Sequence, residues 1–390
     1  MRYGNITYIS AQNPNTIWAG PSSGSAASPS FRTLLPSDIP GIDASKIISG
    51  ILPVIYGGTG AVTPNAARAS LGISSPSQNA LINGSFAVAQ RGTSFSFSGS
   101  ATANTFVPTY TLDRWQYFYN VGSGTTTATV TVSQQAPNPG DIPGEPANFL
   151  RIQNTDQGNT GTNSYHAIAQ SIEGVRFGAG SSITLSFYAR CSYSKSVYIQ
   201  FSQIFGSGGA STPSATVYFG GTAITLTSTW QKYTITAAVP TITGKTIGTN
   251  KDDVVRLEID LQSTYIPLSW GGTGTTDFAQ VQLEAGVLAT DFAFRPLAME
   301  YLLCQRYFQY AYGLVRFLST GANAQVEMPI HFSLMRTVPS VSAVSIGTHV
   351  NVASTAINNI TNNSAGFLVT ATASGDCQAL GDKYALYSEY

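Results

Sequence analysis

The amino-acid sequence predicts an all-β protein whose largest domain is an antiparallel β-sandwich. Short strand patterns recur between Asn79 and Pro296, and each is bounded by clusters of Gly, Pro, Asn or Ser. Helical periodicity is almost absent from this region, and several of its segments alternate between apolar and polar residues. Repeated short strands separated by turn signals are typical of an antiparallel sandwich.

Seven segments show the strand pattern most clearly: Thr126 to Ser133, Ser182 to Cys191, Ser196 to Phe205, Ser214 to Phe219, Trp230 to Ala238, Val254 to Gln262 and Asp277 to Leu283. Successive side chains in a strand point to opposite faces. In the segment 183–191, one face is apolar from Ile183 to Cys191, and the other carries Thr184, Ser186, Tyr188 and Arg190. In the segment 254–262, the polar face carries Arg256, Glu258, Asp260 and Gln262. We expect each strand to have one buried face and one solvent-exposed face.

The composition argues against several classes of partner. Lys and Arg total 19, Asp and Glu total 19, and charged residues make up only 10% of the 390 residues. Because no net charge attracts nucleic acid or an anionic membrane, we expect neither partner. The first residues resemble no secretion signal, and no apolar stretch reaches the ~18 residues of a membrane span. Cys191, Cys304 and Cys377 are odd in number and far apart, so we expect no disulfide framework.

The stretch from Pro36 to Ile73 has the composition of neither a domain nor a flexible linker. Gly and Pro interrupt it repeatedly, so no apolar run is long enough to pack by itself. The runs between them are nevertheless apolar, and their most prominent residues are Ile48, Ile51, Leu52 and Val54. A disordered spacer lacks such residues. We therefore expect this stretch to be buried against other copies of the chain in a closed cyclic assembly.

Four motifs in this stretch follow one another in order: L-x-x-D-I-P from Leu35, I-D-A-S-K-I-x-S-G-x-L-P-V from Ile42, G-G-T-G-A-x-T from Gly57 and A-A-R-x-x-L-G-I from Ala66. Their succession resembles the shaft-proximal module of phage and prophage tail fibres, over about a tenth of the chain. The resemblance implies a homotrimer with an attachment segment at 1–35 and an extended trimerising stem at 36–76. It also implies assembly in the host cytoplasm and a place in the tail of the virion. The attachment segment would dock on tail or baseplate proteins, with Trp18 as its anchor.

The edges of the predicted sandwich, 77–297, resemble those of jelly-roll carbohydrate-binding modules. Leu81 to Phe86 is similar to the opening strand, Thr227 to Tyr233 to a late strand, and Phe278 to Phe292 to the closing strand. Ala87 stands where an acidic residue of that family often helps to hold a structural calcium. This departure argues against that calcium site. The spacing of Cys and His gives no zinc site and the glycine clusters form no phosphate-binding motif, so we expect no metal and no cofactor.

The C-terminal part, 298–390, is predicted to be a small β tip domain. Met299 to Tyr312 shows helical spacing, with Tyr301, Cys304, Tyr307 and Phe308 available to face a partner. It resembles the step that follows such sandwiches in many tail fibres. Alternating strands follow at Ala324 to Ser333, Val338 to Val344 and Ala365 to Ala373.

The candidate sugar-binding residues lie on the predicted solvent-exposed faces of three strands: Tyr188, Tyr198, Gln200, Arg256 and Glu258. Binding a sugar requires an aromatic ring for its C–H face and fixed polar groups for its hydroxyls. These side chains would converge if their strands are neighbours. The alternative interpretation of each residue is ordinary sheet surface or a trimer contact, and we expect Trp115 and Trp230 to belong to the core.

The sequence contains weak signals for catalysis. Gly20 to Gly24 matches G-x-S-x-G, but it lacks the strand and helix that the motif requires. Glu258 and Asp260 share a strand face at ~7 Å, which is permissive for glycoside cleavage. Such pairs are also common on strands, so we expect binding rather than an enzyme. The prediction is a tail fibre that binds host surface polysaccharide, and the alternatives are a polysaccharide depolymerase or a purely structural collar or spacer fibre.

Overall fold

A computed structural model of the chain describes residues 11–39, 58–61, 67, 70–71, 79–100, 107–120, 127–155, 164–263, 266, 268 and 272–390. The chain divides into two units, Met1–Val62 and Thr63–Tyr390. The predicted stem residues Ile48, Ile51, Leu52 and Val54 lie outside the described ranges, so their role stays a prediction. Within those ranges no helix has both the length and the apolar character to cross a membrane.

The described part of the first unit contains a small β-hairpin. Strands β1 (Thr16–Ala19) and β2 (Ser30–Thr33) pair antiparallel. Arg32 of β2 forms an ion pair with Asp38, beyond the strand, at 2.6 Å, and this pair holds the pKa of the Asp38 carboxyl at about 2.

Trp18 lies on β1 of this hairpin. Its ring meets that of Phe31 edge-on, with 4.8 Å between the centroids. Trp18 is nevertheless 59% exposed. Its own unit therefore leaves most of the ring uncovered, and its role in attachment stays a prediction.

The second unit contains a sandwich of two sheets with six strands each. Its strands are β3 (Ser94–Ser100), β4 (Val107–Tyr110), β5 (Gln116–Asn120), β6 (Thr127–Gln135), β7 (Phe149–Asn154), β8 (Tyr165–Glu173), β9 (Ser182–Cys191), β10 (Lys195–Ile204), β11 (Val217–Leu226), β12 (Gln231–Ala238), β13 (Val254–Ser263) and β14 (Gly274–Ala285). The first sheet has the order β11-β10-β13-β8-β5-β4, and the second has the order β12-β9-β14-β7-β6-β3. All of these pairs are antiparallel. The predicted antiparallel sandwich is confirmed.

The core lies between the two sheets and contains the apolar face predicted for 183–191. Leu185 and Phe187 of the second sheet are fully buried with Ile199 and Phe201 of the first. Trp115 is fully buried in the same core. Trp230 is only partly buried, and it packs in a separate cluster with Ile142, Phe149 and Tyr188. The alternation of the sequence thus sets which side chains meet between the sheets.

The predicted opening strand at Leu81 to Phe86 is wrong, because this segment forms tight turns. Asn83 and Phe86 have φ angles of 58° and 57°, which lie in the left-handed region and are incompatible with a strand. The Asn83 side-chain amide donates to the carbonyl oxygens of Val88 and Asp113. A short polar side chain that bonds the nearby backbone stabilises such a turn.

The C-terminal part consists of helix α1 (Leu297–Gln305) and two sheets. Its strands are β15 (Phe308–Ser319), β16 (Gln325–His331), β17 (Ser340–Ser345), β18 (Thr348–Val350), β19 (Val352–Asn358), β20 (Ser364–Ala371) and β21 (Gly375–Tyr387). One sheet has the order β15-β21-β17, with β18 also paired to β21, and the other has the order β16-β20-β19. We call β15 to β21 the C-terminal sheets.

The predicted helix from Met299 to Tyr312 is too long. The helix ends at Gln305, and Tyr307 and Phe308 are buried where the chain turns into β15. Beyond this point burial alternates residue by residue, as a strand requires. Tyr301 remains exposed, whereas Cys304 is buried. Only part of the predicted partner-facing set is therefore accessible.

A charged junction joins the sandwich to the C-terminal sheets. Arg114, in the turn before β5, forms a buried ion pair with Glu389. Arg91 pairs with the other oxygen of the same carboxylate at 2.9 Å. The Arg114 guanidinium also lies 3.5 Å from the centre of the Tyr307 ring. Because both arginines share one carboxylate, the junction is a single network.

Candidate functional site

A cavity of about 470 Å³ opens on the outer face of the first sheet. Beside the cavity, Ala167 and Ala169 of β8 lie opposite Asp260 and Glu258 of β13 in the strand register. Both alanines are fully buried. They pack in one cluster with Phe118 and Tyr165, two of the aromatic residues that line the cavity.

The polar side of the cavity contains two carboxylates that share the same two donors. Gln200 Nε2 donates to Glu258 Oε2 at 3.1 Å and to Asp260 Oδ2 at 3.0 Å. The Tyr165 hydroxyl donates to Asp260 Oδ1 at 2.7 Å and lies 3.4 Å from Glu258 Oε2. Arg256 Nη1 lies 3.8 Å from the other Glu258 oxygen. These contacts hold the two carboxylates in one fixed arrangement.

Burial changes the acidity of both groups. It raises the pKa of Asp260 to about 7, against the lowering effect of the Tyr165 hydrogen bond, and the negative charge of Glu258 raises it further. Burial also raises the pKa of Glu258, while Arg256 opposes the rise. Near neutral pH the Asp260 carboxyl is therefore partly protonated. It can present both a donor and an acceptor, as a hydroxyl ligand requires.

Aromatic rings form the apolar side of the cavity. Tyr165 and Phe118 meet edge-on with ring centroids 6.0 Å apart. Tyr218 of β11 stands at the margin of the cavity and is 65% exposed. A large aromatic side chain left in solvent beside a polar cavity is available to a ligand.

The structure brings together some of the predicted sugar-binding residues. Gln200, Arg256 and Glu258 all line the cavity, because β10 and β13 are neighbours. The expectation that this face is freely solvated is wrong, since Asp260 is fully buried and Glu258 is only 9% exposed. Asp260, considered from the sequence only for catalysis, belongs to the same cluster.

The two other predicted residues do not line this cavity. Tyr198 is on the same face of β10, opposite Asp260 in the register, but its hydroxyl lies over Gly221 of β11. Tyr188 belongs to β9, which is in the second sheet. It therefore cannot converge with the others.

Sequence reasoning missed three aromatic residues of the cavity: Phe118, Tyr165 and Tyr218. The strands of Phe118 and Tyr165 have apolar residues on both faces, so alternation does not mark them. Tyr218 lies within a predicted strand and shows the same parity as the polar residues Ser214 and Thr216. Of the three, only Tyr218 could have been found from the sequence, as an aromatic residue on the polar face of a predicted strand.

The cavity shows no arrangement for a metal. Within the described ranges, no group of three or more His, Cys, Asp or Glu side chains is placed to hold a metal ion. Neutral hydrogen-bonding partners and one arginine surround the carboxylates instead.

The fold and the site together define a jelly-roll-like β-sandwich with a polar cavity bordered by aromatic residues. No family model matches the chain, and no curated protein matches it. Among solved structures, the enzymatically active domain of bacteriophage CBA120 tailspike protein 4 is similar with a TM-score of 0.30 and 14% identity, over 54% of this chain and 22% of that one.

Two further structures are carbohydrate-binding domains. A family 11 module from Clostridium thermocellum, in complex with a β-1,3-1,4-mixed-linked tetrasaccharide, has a TM-score of 0.26 and 13% identity over 45% of this chain and 91% of that one. The N-terminal cellulose-binding domain of Cellulomonas fimi β-1,4-glucanase C has a TM-score of 0.26 and 17% identity, over 38% of this chain and 88% of that one. Similarities at this level do not assign a function.

Proposed function

We propose that this chain is a phage tail fibre or receptor-binding protein whose sandwich binds a host surface polysaccharide. The observation that carries the proposal is the cavity on the first sheet. It combines fixed carboxylates with an exposed aromatic ring at its margin. Its volume of about 470 Å³ is in the range of ligand sites, about 300 to 1,000 Å³.

The chemistry of the cavity suits a sugar. A sugar ring presents an apolar C–H face and a set of hydroxyls, each of which both donates and accepts hydrogen bonds. Tyr218 offers a surface for the apolar face, while Gln200, Glu258 and Asp260 offer polar atoms that are already held in place. Because the polar groups are fixed before binding, little additional ordering is required on association.

The tail-fibre part of the proposal is supported by the motif succession from Leu35 to Ile73. The proposed assembly is a homotrimer, attached through the N-terminal segment to tail or baseplate proteins of the virion. Tyr312, Leu314 and Leu318 on β15 are 58%, 67% and 80% exposed, on a strand face that also carries Arg316, and they support self-association. Exposed apolar patches of this kind mark interaction surfaces. Three copies would raise the avidity of weak single sites.

A glycan array of bacterial surface polysaccharides tests the binding function. We expect the full chain to bind a restricted set of glycans, and Tyr218→Ala and Gln200→Ala to weaken binding by about tenfold, or ~1.4 kcal/mol. The control is Tyr301→Ala, because Tyr301 is an exposed tyrosine away from this cavity. Unchanged binding by both cavity variants would refute the proposed site, and the absence of any binding would favour the spacer interpretation.

A polysaccharide depolymerase is the second candidate. The specific observation in its favour is that burial raises the pKa of Asp260 to about 7, which is in the range of a general acid. Against it, both carboxylates are bound by the same amide on one side of the cavity, whereas glycosidases place theirs on either side of the scissile bond. Release of reducing ends from a bound polysaccharide, abolished by Glu258→Gln and Asp260→Asn, would establish the enzyme.

A further inference from the structure

A second cavity, of about 310 Å³, opens on the outer face of the second sheet. This sheet lies on the opposite side of the core from the cavity described above. Six of its lining residues supply the polar and aromatic groups of the cavity: Tyr188, Lys232, Gln280, Asp291, Phe292 and Phe294. We call it the second-sheet cavity.

An irregularity in β14 shapes this cavity. The register of β14 against β9 shifts between Ala279 and Gln282, and Gln280 has a φ of 50°. Its side chain is almost fully buried and donates from Nε2 to the Pro143 carbonyl oxygen at 2.8 Å. Register breaks of this kind redirect side chains and are frequent beside functional sites. Here the register break turns the Gln280 side chain toward the loop before β7, and the hydrogen bond to Pro143 holds that loop against the sheet.

Gly144 permits this close approach of the loop. It has a φ of 79°, and a Cβ at this position would lie 2.9 Å from Gln280 Nε2. A larger residue would therefore be strained in its backbone and would displace the Gln280 amide. This wall of the cavity therefore requires glycine or a similarly small residue at position 144.

Aromatic side chains form another wall. Phe292 and Phe294 meet edge-on with ring centroids 4.8 Å apart, and Phe294 is 46% exposed. Tyr188 of β9 also lines the cavity. A phenylalanine that is half in solvent beside a cavity leaves an apolar surface that a ligand can cover.

The polar groups of the cavity carry opposite charges. Lys232 Nζ donates to the Thr290 carbonyl oxygen at 3.2 Å, so the ammonium is held beside the cavity. Burial raises the pKa of the Tyr188 hydroxyl, and the charge of nearby Asp291 raises it further. An anionic ligand would meet Asp291, and a cationic ligand would meet Lys232. A neutral hydroxyl group can interact with both, because it donates and accepts.

We infer that the second-sheet cavity is a second carbohydrate-binding site, selective for a neutral sugar unit. This inference rests on the proposed function only for the class of ligand, because no residue of the second-sheet cavity lines the first cavity. Phe294 covers the apolar face of the sugar, and Lys232 and Asp291 bind adjacent hydroxyls. Each chain then presents sugar sites on both faces of one sandwich.

Titration calorimetry on the full chain tests this inference, with cellotetraose, laminaritetraose, maltotetraose and mannotetraose as neutral probes. We expect at least one probe to bind at two sites per chain. Phe294→Ala and Lys232→Met should each reduce this number to one, and Gln200→Ala should also leave one. Tetragalacturonate, an anionic probe of the same length, should not bind at the site that Phe294→Ala removes.

Leu288→Ala is the matched control, because Leu288 is also 46% exposed and follows the same strand. It should leave two sites. Lys232→Met alters only an exposed residue of β12, so it tests the site even if Phe294→Ala reduces folding. No binding of any probe, or binding that both variants leave unchanged, would overturn the inference. If Phe294→Ala loses a binding site and Gln200→Ala loses no binding site, the second-sheet cavity is retained and the first cavity is rejected as a sugar site.

Discussion

The Tyr165 hydroxyl donates a 2.7 Å hydrogen bond to Asp260 Oδ1 at the base of the first cavity. The donor is fixed there by its own position at the start of β8, and the acceptor is fully buried. This hydrogen bond by itself lowers the pKa of Asp260, but burial outweighs it, so Asp260 holds its proton more tightly in the folded chain than in the unfolded chain. This difference has a measurable consequence for stability.

We expect the stability of the sandwich to fall as the pH rises from about 4 to about 7. The pKa of Asp260 is about 7 in the folded chain and near its usual 3.8 in the unfolded chain, so the folded state binds more protons in this window. Stability declines with pH wherever the folded state holds the extra proton, by up to ~1.4 kcal/mol per pH unit for one group. Above about pH 7 this contribution becomes constant.

Urea unfolding between pH 4 and pH 8 measures this dependence. Asp260→Asn should reduce the slope, because the amide does not titrate. Asp376→Asn is the control, since the hydrogen bonds of Arg316 lower rather than raise the pKa of that exposed carboxyl. An equal slope in the wild type and in Asp260→Asn would contradict the expectation.

Replacing Arg114 by Met should destabilise the junction between the sandwich and the C-terminal sheets. The substitution leaves Glu389 buried without its closest cation, and it also removes the bond from Arg114 Nη2 to the Ser171 carbonyl oxygen at 2.7 Å. Breaking a buried pair from one side costs about 3 to 5 kcal/mol. Thermal unfolding checks the size of the loss.

Arg316→Met is the matched comparison for this prediction. Arg316 also pairs with a carboxylate, that of Asp376, at 2.9 Å, but both side chains are exposed. Exposed pairs contribute little, so we expect almost no change. Similar losses in the two variants would show that burial does not set the strength of these pairs.

Gly313→Ala should destabilise the C-terminal sheets selectively. A Cβ at Gly313 would lie 2.5 Å from Cε2 and Cζ of Phe367, which is fully buried in the core of these sheets. Overpacking of this kind typically costs about 1 to 3 kcal/mol. Gly321→Ala is the control, because a Cβ there meets nothing within 4 Å. Hydrogen exchange should show faster exchange in β15 and β20 in the first variant, and a uniform increase across the sandwich would argue against a local effect.

Replacing Ile51, Leu52 and Val54 together by Ser should release monomers with intact sandwiches. The reason is that these residues are the apolar part of the proposed trimerising stem. Sedimentation measures the assembly, and circular dichroism measures the fold. A trimer that persists would show that other surfaces, such as the exposed face of β15, hold the chains together.

Local pattern was enough to predict much of the sandwich. The segment from Ser182 to Cys191 is a strand with the predicted bounds, because its apolar residues alternate without interruption. The same reasoning failed from Leu81 to Phe86, where the side chain of Asn83 stabilises a turn through a hydrogen bond to a residue 30 positions away. A contact at that separation leaves no trace in a short window of sequence.

The candidate site shows the same limit. Alternation correctly placed Gln200 and Glu258 on one face of their strands, and these residues lie opposite each other in the register. It could not assign Tyr188 to a sheet, because parity within a strand says nothing about its neighbours. It also could not predict that Asp260 is buried, since that depends on neighbouring strands, including β8, from which the Tyr165 hydroxyl reaches the carboxylate.

The junction at Glu389 also has a mechanical consequence. Strands β15 and β21 lie side by side with Phe308 opposite Tyr387, so the start of one and the end of the other reach the sandwich together. The first is attached through the chain itself, and the second through the ion pairs of Arg91 and Arg114. A torque applied to the C-terminal sheets therefore meets more than one point of attachment and cannot turn them about a single one. The orientation of the proposed sugar cavity is thereby fixed against twisting when the C-terminal sheets are under load.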